Sequence, residues 1–208
     1  MNEEGCKNLV VVGVGGQGII LVSRIIGEAA LKSGLNVMVS EIHGMAQRGG
    51  MVVSKIRIGD VHSPMIGKGE ADMILGFEPV ETYRHLDMAS EKTTIVTSVN
   101  PIYPHTESAG ENEYPDLEGL LGNLEGIGKK LVRLDTEEMA SSAGLPVIVS
   151  NIIMLGALFG ACKNLPVRID TLKETIKENV PSRFMDANIR AFELGFEEAK
   201  RVSNNTES

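Results

Sequence analysis

Gly13-Val14-Gly15-Gly16-Gln17-Gly18 places glycines at the spacing G-x-G-x-x-G between an apolar run and an amphipathic one. Glycine at those positions permits a tight turn, and backbone N–H groups at the start of a following helix then approach a phosphate or carboxylate. The same glycines would also serve close packing of a strand on a helix. Glu41, about 20 residues beyond the turn, stands where a dinucleotide site keeps the acid that binds ribose hydroxyls. Against that reading, the next loop, His43-Gly44-Met45-Ala46-Gln47-Arg48-Gly49-Gly50, crowds polar side chains where adenine would lie. Its glycines and the Arg48 guanidinium suit a phosphate, pyrophosphate or carboxylate, and a solvated hairpin turn is the plain alternative. The candidate binding residues are therefore Gly13, Gly15, Gly16, Gln17, Gly18, Gly44, Gln47, Arg48, Gly49 and Gly50. His43 reads as a hydrogen-bonded loop residue. With no G-x-S-x-G elbow, no P-loop lysine and no usefully spaced Cys/His pair, no residue is assigned a catalytic role.

Composition narrows the function classes. Twenty Lys and Arg against 28 Asp and Glu leave a net charge of −8, which argues against a nucleic-acid surface. The absence of Trp argues against a base-stacking platform. Cys6 and Cys162 lie at opposite ends of the chain with no Cys-x-x-Cys, so no ligand set for zinc or an iron–sulfur cluster is expected. The first residues are acidic and no apolar run reaches the roughly 18–20 residues of a membrane span, which points to a cytoplasmic protein.

The elements that must position these residues alternate as α/β. Asn8 to Gly13 is an unalternated apolar strand, the pattern of a parallel sheet covered on both faces, and Ile19 to Ala30 is a helix stopped at Ser33-Gly34. Asn36 to Ser40 completes an expected right-handed βαβ unit. Met51 to Ile58 alternates, with Val52, Ser54, Ile56 and Ile58 opposite Val53, Lys55 and Arg57, and reads as a half-exposed strand suited to an edge. Further strands are expected at 72–77, 93–98 and 130–135, with a helix over 79–88. Three prolines and five glycines make 100–128 a surface excursion with one short helix near 117–121. Pro146 to Cys162 is apolar nearly all round, so as a helix it must be buried, with Gly156 and Gly160 pressed on a sheet or on a second copy. A polar helix over 171–179 and an amphipathic one opened by Pro181 follow, ending in the disordered-looking SNNTES. The expected fold is a Rossmann-like, mostly parallel sheet with helices on both faces. It forms one domain over 1–203, with a disordered tail at 204–208.

Taken together, GVGGQGI and SEIHGMAQRGGMV, followed by KIRIGDVHSPMIGKGEADMILGFEPVETYRHL, NPIYP, SNIIMLGAL and NIRAFELG, resemble the gamma-type domain of the 2-oxoacid:ferredoxin oxidoreductases, in particular the small subunits of the indolepyruvate branch. The resemblance runs from Asn8 to about Gly195. It implies a subunit of an enzyme that decarboxylates an aryl pyruvate on thiamine diphosphate and magnesium. Electrons then pass through 4Fe-4S clusters to ferredoxin, and the acyl group passes to coenzyme A. This chain has neither the thiamine motif, since Gly59-Asp60-Val61 is not one, nor the cysteines. The resemblance therefore implies a larger alpha subunit that holds those cofactors. The isolated chain would be inactive, and a homodimer is one form it could take alone. By the same likeness the glycine turn and the loop Gly44 to Gly50 would face that partner and help bind coenzyme A, with Glu78 and Asn151 as second-rank candidates. Three rivals stand beside it: a free-standing NAD(P)-dependent oxidoreductase, an adenylating enzyme of the ubiquitin-activating type, and a purely structural subunit.

Overall fold

The computed structural model describes residues 5–44, 49–103, 114–162 and 165–206. One sheet holds six strands in the order β2-β3-β1-β4-β5-β6: β1 (Lys7–Val14), β2 (Val37–His43), β3 (Met51–Ile58), β4 (Met73–Gly76), β5 (Thr94–Ser98) and β6 (Lys130–Leu134). The run β1-β4-β5-β6 is parallel, whereas β3 is antiparallel to both β1 and β2. The sheet is therefore mixed but mostly parallel, as expected: β3 alone runs against the other five strands. The βαβ reading fails even so, because β3 is inserted between β1 and β2 and β2 becomes the edge.

Why β3 tolerates a central place is visible in its charged residues. Lys55 is 8% exposed, and its Nζ donates to the Ile66 carbonyl at 3.2 Å. Arg57 donates to the Ser63 carbonyl and to Asn8 Oδ1, both at 2.9 Å. The loop between β3 and β4 lies over this face of the sheet. It supplies carbonyl partners, so Lys55 is buried and Arg57 half-buried without being orphaned.

The two faces are covered unequally. On one, Leu9, Val11, Ile56, Leu75, Val96 and Val132 pack under α1 (Ile19–Lys32), α5 (Ser150–Ala161), α6 (Ile169–Asn179) and α7 (Met185–Thr206). On the other, Val10, Val12, Val53, Ile74 and Ile95 meet a thinner cover that includes Ile66, Leu86 and Met88. Two short helices, α2 (Pro79–Arg84) and α3 (Leu117–Gly122), and α4 (Thr136–Ser142) complete the helices among the described residues.

Helix α5 is buried along nearly its whole length, as its composition requires. Its glycines serve a seam inside the chain. A β-carbon on Gly156 or Gly160 would collide with the carbonyl oxygen of Phe192 or Phe196 on α7, and one on Gly195 would collide with that of Ile153. The second-copy reading of these glycines is thus overturned. Helix α7 runs on to Thr206, past the point where the polar composition suggests disorder, and Ser203 is buried and donates to the Ala199 carbonyl.

Candidate functional site

β1 ends at Val14, the chain turns through Gly15 to Gly18, and α1 begins at Ile19. Gly16 and Gly18 have φ of 101° and 79°, which only glycine adopts without strain. A β-carbon on Gly16 would point into open space, whereas one on Gly18 would strike the Asn151 side chain at the start of α5. Gly13 lies within β1, opposite Val52, and is hemmed in by Gln17, Ile19 and Phe77. Its glycine is required by packing.

The turn sits where the chain leaves β1 toward one face of the sheet and leaves β4 toward the other. That crevice at the carboxyl ends of the strands is where open α/β sheets bind ligands. Here Gln17 fills it: its Oε1 accepts from the Val14 N–H and its Nε2 donates to the Phe77 carbonyl, both at 2.8 Å. The side chain is committed to joining the ends of β1 and β4.

The second glycine stretch is the loop of the β2–β3 hairpin. Gly44 N–H donates to the Met51 carbonyl at 2.7 Å, Gly49 has a φ of 74°, and Gly15 N–H donates to the Gly50 carbonyl at 2.8 Å. The two stretches therefore meet, as expected. Gln47 and Arg48 lie outside the described residues. A cleft of about 610 Å³ opens between the stretches, lined by Val14, Gly15, Gly16, Gly18, Ile19, Ile20, His43, Gly44 and Val52. The His43 side chain is half exposed, with Nε2 3.5 Å from Glu41 Oε2. Glu41 sits on β2, which β3 holds one strand spacing of about 4.8 Å further from the glycine turn than a dinucleotide site requires.

A smaller cleft of about 230 Å³ lies on the other side of Gly16, over the ends of β4 to β6. Sequence reasoning missed most of its lining: Phe77, Ser98, Asn100, Ile102, Thr136, Glu137, Val147, Ile148, Ser150 and Met154. Their signal was position alone, since Ser98, Asn100 and Thr136 fall at or just after the ends of β5 and β6. Asn100 organises this floor, its Oδ1 accepting from Thr136 N–H at 3.0 Å and Ser98 Oγ at 3.0 Å, its Nδ2 donating to Asp135 at 2.8 Å. That bond, with the Glu138 N–H, holds the Asp135 carboxyl below its usual range. Glu78 is buried as the N-cap of α2, and its Oε1 accepts from Tyr114 at 2.5 Å. Burial, reinforced by Glu78, pushes the Tyr114 phenol upward and keeps it neutral.

Helix starts divide sharply in their chemistry. Glu78, Asp116 and Asp135 cap α2, α3 and α4, each accepting a backbone N–H, and each helix has a further acidic residue in its first turn. Helices α1 and α5, whose starts converge on Gly18 and Asn151, have neither a capping side chain nor an acidic first turn. The partial positive charge at these two starts meets no carboxylate from its own helix, and the one acidic residue that lines the smaller cleft beside Ser150 and Asn151 is Glu137 of α4.

Residues 8–198 match the family model described as pyruvate ferredoxin/flavodoxin oxidoreductase. The chain belongs to that family. The match takes in the sheet, both clefts and most of the α5/α7 seam. Indolepyruvate oxidoreductase subunit IorB of Methanothermobacter thermautotrophicus is 44% identical over 189 residues, covering 91% of this chain and 95% of that protein. Among solved structures, the gamma subunit of a keto/oxoacid ferredoxin oxidoreductase from Geobacter sulfurreducens superposes with a TM-score of 0.68 at 23% identity, covering 93% of this chain and 98% of that one. The 2-oxoglutarate:ferredoxin oxidoreductase of Magnetococcus marinus, solved with 2-oxoglutarate, coenzyme A and succinyl-CoA bound, gives 0.70 at 22% identity, covering 96% of this chain but 32% of that one. The fold of this oxidoreductase family is thus found both as a separate chain and as a third of a longer one.

Proposed function

We propose that this chain is the small subunit of an indolepyruvate oxidoreductase and that its glycine-lined clefts receive an anionic part of coenzyme A beside a larger partner. The observation that carries this reading is the pair of helix starts, α1 and α5, that lack acidic caps and meet at Gly16 and Gly18 between two clefts. Backbone N–H groups at such starts favour a phosphate, and the apolar walls from Ile19, Ile20 and Val52 suit the uncharged arm that follows it. Gly44, Gly49 and Gly50, with Gln47 and Arg48 between them in sequence, belong to the same proposal as the facing wall. Gln17 supports it indirectly by fixing the turn, and Gly13 by packing it.

The described residues offer no ligand cluster for magnesium or an iron–sulfur centre, and the sequence carries no thiamine diphosphate motif. Among the described residues no group of three or more His, Cys, Asp or Glu gathers in metal-binding geometry, and Cys6 and Cys162 are not joined in a disulfide. Those cofactors belong to the larger subunit in this reading, with ferredoxin as acceptor. The inserted β3, which keeps Glu41 away from the turn, weighs against a free-standing NAD(P) enzyme.

The test is Gly16→Asp in the enzyme reconstituted with its larger subunit. The new carboxylate enters open space at the shared corner of the clefts. It should raise the coenzyme A KM by on the order of tenfold or more, about 1.4 kcal/mol, with the 2-oxoacid KM unchanged. An assembled complex with an unaltered coenzyme KM rejects the proposal and leaves a structural subunit.

A further inference from the structure

The outer edge of β2 is lightly defended, by the single carboxylate of Glu41. Proteins that keep an edge strand single use prolines, charged side chains and above all lysines, bulges or very short strands to prevent pairing. β2 is seven residues long, Val-Met-Val-Ser-Glu-Ile-His, with no proline, no lysine and an unbroken register against β3. Val39 and Ile42 are 41% and 50% exposed. Among the described residues no segment pairs with this edge.

The ladder to β3 fixes which groups are on offer. Gly44 N–H donates to the Met51 carbonyl and Gly59 N–H to the Asn36 carbonyl, so even-numbered residues of β2 bond inward to β3. By the alternation of an antiparallel pair, Val37, Val39, Glu41 and His43 direct their backbone N–H and C=O outward. From these facts we infer that β2 pairs antiparallel with β2 of a second copy of this chain, about a two-fold axis at Ser40, making one continuous twelve-stranded sheet.

The register follows from the sequence. Centred on Ser40, the outward-directed residues pair with one another, Val37 with His43 and Val39 with Glu41, while Met38 faces Ile42 and Ser40 faces itself. Apolar meets apolar on one face, and no charge lies opposite a like charge. Centring on Glu41 would set two carboxylates directly opposite, a destabilising pair. Helix α1 offers a matching flank. Ile20, Arg24, Gly27 and Leu31 lie on one face at helical spacing, Gly27 sits over Val39, and Ile20 and Leu31 are 40% and 62% exposed. Two such helices side by side across the axis would cover these residues, giving the pairing a packed layer as well as a ladder. Ile20 and His43 also line the larger glycine cleft, whereas Ser40 and Ile42 line neither cleft, so a test at those two positions separates this inference from the proposed function.

Ser40 provides a register-specific test, because it forms a non-hydrogen-bonded pair with its own copy. Such pairs hold Cα atoms about 4.5 Å apart, within disulfide range. The full chain should sediment at twice its own mass. Ser40→Cys should form a disulfide-linked dimer on mild oxidation that reduction dissolves, and Ile42→Lys should yield a folded monomer with an unchanged circular dichroism spectrum. A wild-type monomer at tens of micromolar overturns the inference. So does a dimer that survives Ile42→Lys and fails to cross-link through Ser40→Cys.

Discussion

Glycine does opposite work at the two ends of α5. At its N-terminal end, Gly16 is defined by backbone conformation, with positive φ and empty space before it, while Gly18 combines positive φ with contact against the Asn151 side chain. Along the helix, Gly156 and Gly160, with Gly195 on α7, have ordinary helical backbone and are defined by contact, since any side chain would run into a carbonyl of the facing helix. A glycine kept for its torsion leaves room for something else to approach. A glycine kept for contact has already been approached.

The contrast predicts a ranking. Gly195→Val should be the most damaging single change, costing more than about 3 kcal/mol because two helix backbones must separate, and the urea midpoint should fall accordingly. Gln17→Leu comes next. It strands the Val14 N–H and the Phe77 carbonyl, at about 1–3 kcal/mol for each unpaired group, and should also loosen the turn for any ligand. The Cys162 thiol, at the far end of α5, is pushed up to about 11 by burial from an ordinary 9.0. An unfolded chain ionises it first as pH rises, so its contribution, up to about 2 kcal/mol, is complete below pH 9 and lost between pH 9 and 11. Cys162→Ala should flatten that alkaline arm of a stability-against-pH curve, and an unchanged slope would show that the thiol titrates normally. Gly16→Ala should do least to folding, about 1–2 kcal/mol of torsional strain. Should Gly16→Ala prove as destabilising as Gly195→Val, the distinction between torsion and contact collapses.

The same contrast marks what could be read in advance. The bounds of β1, α1 and β3 and the torsional demand at Gly16 and Gly18 were legible, because glycine spacing and apolar runs are local. Sequence also showed that α5 had to be buried against something close. It could not name α7, whose Gly195 lies far along the chain. β3 was misplaced at the edge for a related reason. Alternation with Lys55 and Arg57 looks like a solvent face, but a separate loop supplies carbonyls that let Lys55 be buried and Arg57 half-buried. Gln17 was legible as a polar group in the right turn and illegible in direction. A side chain aimed at Phe77, one strand away, leaves no trace in spacing. Nor does the absence of acidic caps on α1 and α5 stand out until the helices that have them are known to surround the same end of the sheet.

The separation of α5 from α7 along the chain has a consequence during synthesis. A nascent chain completes α5 at Ala161 but does not complete its cover until Thr206. At about 5–20 residues per second, that interval lasts roughly 2 to 9 seconds. Throughout it, α5 can pack on the sheet, but the face that α7 covers has no partner. The last helix therefore acts as a release step for the whole domain, and stop codons introduced before Met185 should send the product to chaperones and proteases with its glycine turn otherwise intact.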